Sequence, residues 1–389
     1  MSFPLRTPFP LRIGINALYL IPGGVGGTEI YLRSLLLALA SIDQRNEYFV
    51  YINSETAAEG RALIPAASPS FHIVNCHVRA RIRPYRIVWE QMLFPMRLRR
   101  DRIDVVLNPG FTAPVLSGQP LVTVFHDLQH KRHPEFFRWF DLPFWNLLLG
   151  LSVARSRTII AVSEATARDL ERYYPGAASK TVVIHHGVDS EFFHIGDRRR
   201  ASGDSAEKYI LIVSTLHPHK NLGLVLEAFA AFRKPHPEFR LVIAGMKGFA
   251  AGQLESRRRG LGLEEAVRFT GWIPRAELYD LFERAAAFIA PSRFEGFGMP
   301  VVEALAAGIP TACSAIPPFD EIAGSAAVRF DPGSVPAIAA AMERIVCDAD
   351  FRRHARTAGP EQARRFDWKE AARLTLEELE RAGHLPIER

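Results

Sequence analysis

Cysteine is scarce: Cys76, Cys313 and Cys347 are the only three among 389 residues. Their spacing matches no metal-ligand pattern and three thiols make no disulfide framework, so a reducing compartment is expected. Long apolar runs are missing too. The most apolar stretch, 142–154, is interrupted by Asn146 and falls short of the ~20 residues a spanning helix needs. The opening segment, MSFPLRTPFPLRIGINALYL, lacks the pattern of a secretory signal; it carries prolines and then reads as a strand. There is no short-period repeat, no low-complexity tract and no nucleic-acid recognition motif. What remains is the expectation of a cytoplasmic globular protein that does not bind nucleic acid.

What is present is a chain with 48% hydrophobic and 23% charged residues, enough to bury a large core, and too long for one ordinary domain. Short β-rich runs alternate with helical patterns, the mark of βαβ units and parallel sheets. Strands are predicted at 11–17, 47–52, 71–75, 105–108, 121–125, 158–162 and 182–185, with a glycine-rich loop and a helix (28–42) after the first. Residues 190–207 (SEFFHIGDRRRASGDSAE) are polar without periodicity and read as a linker. Strands resume at 208–213, 240–244, 267–269, 287–290, 310–312 and 328–330. The fold class is therefore α/β, with two Rossmann-like domains over 1–190 and 191–367. The helical pattern of the segment 368–389 is expected to cross back to the first domain. Ligands of open α/β sheets bind at the carboxyl ends of strands, so a shared ligand should lie in a cleft between the two domains.

The net charge of +6 is unevenly spread. Eight arginines fall between Arg79 and Arg102 against Glu90 and Asp101, with Ile87, Val88, Met92, Leu93, Phe94 and Met96 interleaved. Such a basic amphipathic segment suits an anionic membrane surface. A solvated helix face with an ordinary core side accounts for the same composition.

The densest signal is 293–308, RFEGFGMPVVEALAAG. A strand runs into a loop with two glycines, and Pro300 stands at the start of a helix. Gly296 and Gly298 allow close approach of backbone to ligand, and the helix start attracts phosphate. Glu295 and Glu303 more plausibly accept hydrogen bonds from neutral hydroxyls, one set on a sugar and the other on a ribose. The glycines after the first strand, Gly24, Gly26 and Gly27, do not complete G-x-G-x-x-G, because the sixth position is Glu29. That removes the main support for a dinucleotide oxidoreductase. A loop approaching a diphosphate or an acceptor is the better reading.

With seven residues between its two glutamates, this block resembles the E-x7-E signature of glycosyltransferase family 4, whose members have the two-domain GT-B fold and retain anomeric configuration. The resemblance runs along most of the chain. GGVGGTE at 23–29, FHDL at 125–128, HHGVD at 185–189, STLHPHKNL at 214–222, FTGWIPRAEL at 269–278 and FDWKEA at 366–371 each look like segments of the family.

The resemblance implies that Glu303 binds ribose hydroxyls and Glu295 holds the transferred sugar. The amides of Phe297, Gly298 and Met299 help clamp sugar and diphosphate, and Lys220 neutralises the diphosphate. Ser214, Thr215, Gly245, Gly26 and Gly27 join them in donor binding. Where the family often has an arginine near this lysine, the chain has His219 and Ser214; Arg293 and Lys247 are candidates to supply the charge. His126 sits at a strand's carboxyl end beside Asp127 and is implied to touch the reacting sugar; local pairing with Asp127 is the other account. His130 and His133 lie near it in sequence. With no cysteine beside these histidines and no helical His-x3-His, no metal or other cofactor is expected.

The implied reaction is same-face displacement through an oxocarbenium-like state. The segment 86–95 (RIVWEQMLFP) and the phosphate segment resemble bacterial members that build surface polysaccharides. That implies GDP-mannose as donor, a lipid-linked saccharide as acceptor, and a peripheral place on the inner face of the plasma membrane. UDP-glucose, UDP-N-acetylglucosamine or dTDP-rhamnose as donor, or a non-catalytic sugar-nucleotide-binding subunit, are the alternatives.

Overall fold

The computed structural model describes residues 9–23, 26–57, 69–202 and 206–384. It divides into two units, Met1–Gly187 with Trp368–Arg389, and Val188–Asp367.

The first unit is built on a seven-stranded parallel sheet: β1 (Arg12–Ala17), β2 (Glu47–Ile52), β3 (Phe71–Asn75), β4 (Val105–Asn108), β5 (Leu121–Phe125), β6 (Thr158–Ala161) and β7 (Thr181–Val183). Their order is β3-β2-β1-β4-β5-β6-β7. β4, β5 and β6 are buried at every position, as expected of parallel strands covered on both faces by crossover helices. The helix Gly27–Ile42 buries Tyr31, Leu32, Leu35, Leu36 and Leu39, an i, i+4 stripe. It packs against the helix Trp368–His384, whose Ala371, Ala372, Thr375 and Leu379 are buried and whose small residues permit close approach.

The second unit has six parallel strands: β8 (Glu207–Val213), β9 (Arg240–Ala244), β10 (Val267–Gly271), β11 (Ala285–Ala290), β12 (Thr311–Ser314) and β13 (Ala327–Phe330). The order is β10-β9-β8-β11-β12-β13. One core cluster joins strand residues Ile210, Leu241 and Ile289 to the helices Leu222–Arg233 and Val335–Cys347 through Phe229, Ile338 and Met342.

One sequence reading is corrected. The linker expected at 190–207 is in large part a helix, Ser190–Ser202. Its Phe192, Ile195, Gly196 and Arg199 are buried at i, i+3, i+4 and i+7, a one-sided face that the surrounding charge concealed. Arg199 caps the carbonyls of Phe282 and Glu283, which explains why a charged residue can belong to that face. Residues 203–205 of the expected linker lie outside the described residues.

The basic segment has a core side as well as a solvated one. It forms two helices, Arg83–Met92 and Phe94–Arg100, in which Arg86, Ile87, Glu90, Phe94 and Leu98 are buried. Phe94 and Leu98 pack with Tyr51 and Ile103. Val88, Met92, Leu93 and Met96 remain exposed.

Candidate active site

In the second unit the strand order reverses between β8 and β11, so the loops leaving those strands flank a crevice at their carboxyl ends. Ser214 is the first residue after β8. Its N–H donates to Ala244 O at 2.9 Å, while its buried Oγ has no hydrogen-bond partner among the described residues. Thr215 O accepts the N–H of His217 at 2.9 Å. A short turn, Pro218–Lys220, then leads through Asn221 (φ 59°) into the helix Leu222–Arg233. The second loop comes back to the first: Arg293 N–H donates to His219 O at 2.8 Å.

These turns bring Lys220 to Glu295. Lys220 Nζ donates to Glu295 Oε1 at 2.6 Å, and Ser292 Oγ donates to the same oxygen at 2.7 Å. Burial alone would raise the Glu295 carboxyl. The Lys220 ammonium, the Ser292 hydroxyl and nearby His219 outweigh it and hold the group below its ordinary value. Arg293 and Lys247 are both exposed.

Two glycines shape the same region. At Gly245, after β9 with φ 150°, a Cβ would come within 2.1 Å of Ser214 O. At Gly298, with φ 104°, a Cβ would meet Phe319 Cε1 at 2.5 Å. Gly298 is the N-cap of the helix Met299–Ala306, so it aims that helix start without a capping side chain. Pro300 is the second helical residue rather than the first. Phe297 is buried edge-on to Phe366, with ring centroids 5.6 Å apart.

Glu303, one turn into this helix, is held by a different cation. Arg275 Nη2 donates to its Oε1 at 3.1 Å and lies 3.5 Å from Asp189 Oδ2. The guanidinium stacks on Phe192 and Tyr279, and the Tyr279 hydroxyl donates to Asp189. Burial raises the Glu303 carboxyl above its ordinary value; Arg275 opposes that shift and Asp189 adds to it. Sequence reasoning missed Arg275, Tyr279 and Asp189 as members of the site, although all three stand in or beside the quoted segments 185–189 and 269–278. The signal was an arginine opening a helix.

In the first unit Gly26 (φ 61°) caps the helix that Gly27 begins, and Glu29 N–H donates to Gly26 O at 3.0 Å. Gly24, the remaining glycine of the expected loop, lies outside the described residues. His126 follows β5 and is buried, with Nε2 2.8 Å from Pro109 O. A carbonyl can only accept, so Nε2 carries the proton and donates. The alternative of pairing with Asp127 is corrected: Asp127 Oδ1 accepts Gln129 N–H. Burial pushes His126 down to about 4, with the Pro109 bond opposing, so the ring is neutral at neutral pH. His130 turns to Tyr174 and His133 to Glu135, so the three histidines serve separate partners.

Beside His126, the ends of β1, β4 and β5 open into a cavity of about 350 Å³ that also takes in Arg83, Arg86 and Trp145. Elsewhere the second unit gathers His236, Glu343 and Cys347, with Nε2 of His236 2.7 Å from Glu343 Oε2. The sequence spacing behind the expectation of no metal did not reveal this grouping, because His236 is 107 residues from Glu343.

Comparison with known proteins agrees along the chain. A family model described as Glycosyltransferase Family 4 matches residues 25–192, and one described as Glycosyl transferases group 1 matches 197–362. The chain is 30% identical over 424 residues to the D-inositol 3-phosphate glycosyltransferase of Kribbella flavida, covering 97% of each. It is 26% identical over 383 residues to the O-antigen chain mannosyltransferase B of Escherichia coli, covering 96% of each. In fold it is similar to Anabaena HepE in complex with UDP and glucose, with a TM-score of 0.72 and 20% identity over 94% of this chain and 98% of that one.

Proposed function

The chain belongs to glycosyltransferase family 4, and we propose that it is a retaining, metal-independent enzyme moving mannose from GDP-mannose to a lipid-linked saccharide in surface polysaccharide assembly. The observation that carries this reading is the bonded set of Lys220, Glu295 and Ser292 at the reversal of strand order in the second unit.

In that reading the donor diphosphate meets Lys220 and the amides opening the helix Met299–Ala306, two sources of positive potential that stabilise charge on the leaving group. Ionised Glu295 accepts hydrogen bonds from the sugar hydroxyls, and Glu303, oriented by Arg275, accepts those of the ribose. Gly245 lets the exits of β8 and β9 pass close, which commits Ser214 N–H to Ala244 O and leaves the Thr215 N–H and the unpartnered Ser214 hydroxyl for phosphate oxygens. His126 is neutral and has its Nε2 proton committed to Pro109, so its part is to position a hydroxyl through Nδ1 rather than to act as a cation. The departing phosphate then takes the proton of the acceptor hydroxyl on the face it leaves.

Mannose is favoured by the likeness to O-antigen chain mannosyltransferases, one at 26% identity over nearly the whole chain. A UDP-sugar is the second reading, favoured by the fold likeness to HepE in complex with UDP-glucose. The lipid-linked acceptor and a peripheral membrane location draw support from exposed Val88, Met92 and Met96 among exposed arginines, and from exposed Trp139, Phe140, Phe144 and Leu147 on and before the helix Leu142–Arg155. Among the described residues no helix is long and apolar enough to cross a membrane.

Nucleotide release across GDP-mannose, UDP-glucose, UDP-N-acetylglucosamine and dTDP-rhamnose, with chelator present and Glu295→Ala as control, tests the proposal. Release from GDP-mannose that the variant loses is the expected result. Release from a UDP-sugar alone replaces the donor, and release that needs added metal removes the metal-independent mechanism.

A further inference from the structure

Arg86 is 6% exposed, yet its guanidinium makes no hydrogen bond or ion pair with any described residue. Leaving a guanidinium buried without an anion costs several kcal/mol, so such a group is seldom retained without a partner. Its nearest acid in sequence, Glu90, is one turn along the same helix and already occupied: its Oε1 accepts from Asn16 Nδ2 at 3.2 Å and Thr112 Oγ1 at 2.9 Å. Glu90 attracts Arg86 only from beyond ion-pair distance, and burial pulls the Arg86 pKa down.

The side of Arg86 that is not packed lines the cavity of about 350 Å³ at the carboxyl ends of β1, β4 and β5. Arg83 lines it as well, its guanidinium 5.2 Å from the Trp145 ring centroid. Both arginines stand in the first turns of the helix Arg83–Met92, which starts without a capping side chain and so adds the positive end of its dipole. The opposite wall differs in character. Asp127 is an acceptor for hydroxyls, and burial holds His130 down at about 4, so it adds no charge at neutral pH. Phe111, Phe137 and Trp145 supply apolar faces of the kind that stack on sugar rings.

One end of this cavity therefore wants an anion and the other wants hydroxyls. We propose that it receives a phosphate-bearing acceptor, with Arg86 as the buried cation that meets the phosphate or diphosphate and Arg83 as its outer partner. The proposal rests on the glycosyltransferase reading for the word acceptor, but the anion site itself does not. Placing the phosphate on Arg86 turns the saccharide toward Asp127 and the exit of β5, which makes Arg86 a determinant of which acceptors are used.

The test is calorimetric titration with farnesyl diphosphate, inorganic pyrophosphate and farnesol. It is done in a Lys220→Met background, so that the diphosphate-binding lysine of the second unit does not contribute. Both phosphorylated probes are expected to bind, with affinity falling at least tenfold on Arg86→Met, falling less on Arg86→Lys, and falling several-fold on Arg83→Gln. Tighter binding of farnesyl diphosphate than of pyrophosphate assigns a lipid-borne phosphate; equal binding assigns a soluble one. Unchanged affinity in Arg86→Met, or equal binding of farnesol, overturns the proposal. If Arg86→Met does not fold, unchanged affinity in both Arg83→Gln and Arg86→Lys does so. Nucleotide release by the native chain is read separately: release with no arginine-dependent binding sinks the anion site alone, and binding without release sinks the transferase reading alone.

Discussion

Lys220 Nζ and Glu295 Oε1 are 2.6 Å apart, so the residue assigned to the donor's diphosphate and the residue assigned to its sugar are bonded to each other. Each fixes the other's rotamer, and the carboxylate is kept ionised although little of it is exposed. Glu295→Ala is expected to lower donor turnover about 100-fold, the scale of losing one preorganised polar contact, while nucleotide affinity changes far less. Lys220→Met strands a buried carboxylate and should cost about 3 kcal/mol in urea unfolding at pH 7. The Glu295 carboxyl is depressed on folding, so its contribution is present above about pH 4.3 and is lost as pH falls through the lower folded value. Lys220→Met should abolish that acid-side loss; a variant that is as stable as the native chain and keeps the loss refutes the pairing.

Arg275 governs the other glutamate. Burial already raises the Glu303 carboxyl, and removing the cation that opposes the shift must raise it further. Of the groups facing Glu303, Asp189 acts in the same direction and Tyr279 is neutral at working pH. The acid limb of kcat/KM for the donor should therefore move to higher pH in Arg275→Met, and less in Arg275→Lys. A limb that stays in place in Arg275→Met shows that Glu303 does not depend on it.

His126 predicts a stability change of its own. Its folded pKa of about 4 lies below the ordinary ~6.5, so the unfolded chain binds the extra proton in between. Stability should fall as pH drops from about 6.5 toward 4, by about 3 kcal/mol in all for this one group. His186, also buried and depressed, adds to the fall with the same sign. His126→Gln retains an N–H for Pro109 and cannot titrate, so its unfolding free energy should change less between pH 7 and 5. Identical slopes for variant and native chain would falsify the assignment.

The proposed membrane attachment rests on exposed apolar side chains beside exposed arginines. Val88, Met92 and Met96 replaced together by serine should cut flotation with anionic vesicles severalfold, at most a small change in folding being expected for exposed positions. Neutral vesicles should bind the native chain less well than anionic ones. Unchanged flotation of the triple variant returns these residues to an ordinary surface.

Strands were the most legible part of the fold. Those at 47–52, 105–108, 121–125 and 240–244 carry the same bounds in sequence and structure, because buried parallel strands read as short continuous apolar runs. The helix Ser190–Ser202 was hidden because its buried face is two apolar residues, a glycine and an arginine. Glu295, Glu303 and Lys220 could be picked out as residues, but their partners could not. The Lys220–Glu295 bond spans 75 residues, and the Arg275–Glu303 bond joins two segments that sequence reasoning had kept apart. Arg86 was counted among the eight arginines of a basic amphipathic segment; whether an arginine faces water or a cavity depends on how its helix is rotated, and composition carries no record of that.

The helix Trp368–His384, which closes over Gly27–Ile42, also sets an order of assembly on the ribosome. Val188–Asp367 is an uninterrupted length of chain and has all its strands as soon as residue 367 has emerged. Of the two units, the one that begins first finishes last, because Leu35 and its neighbours keep an uncovered apolar face until the helix Trp368–His384 has been made. A nascent chain stalled at 367 should therefore hold one finished unit and one that recruits chaperones, and twenty or so further residues should release them.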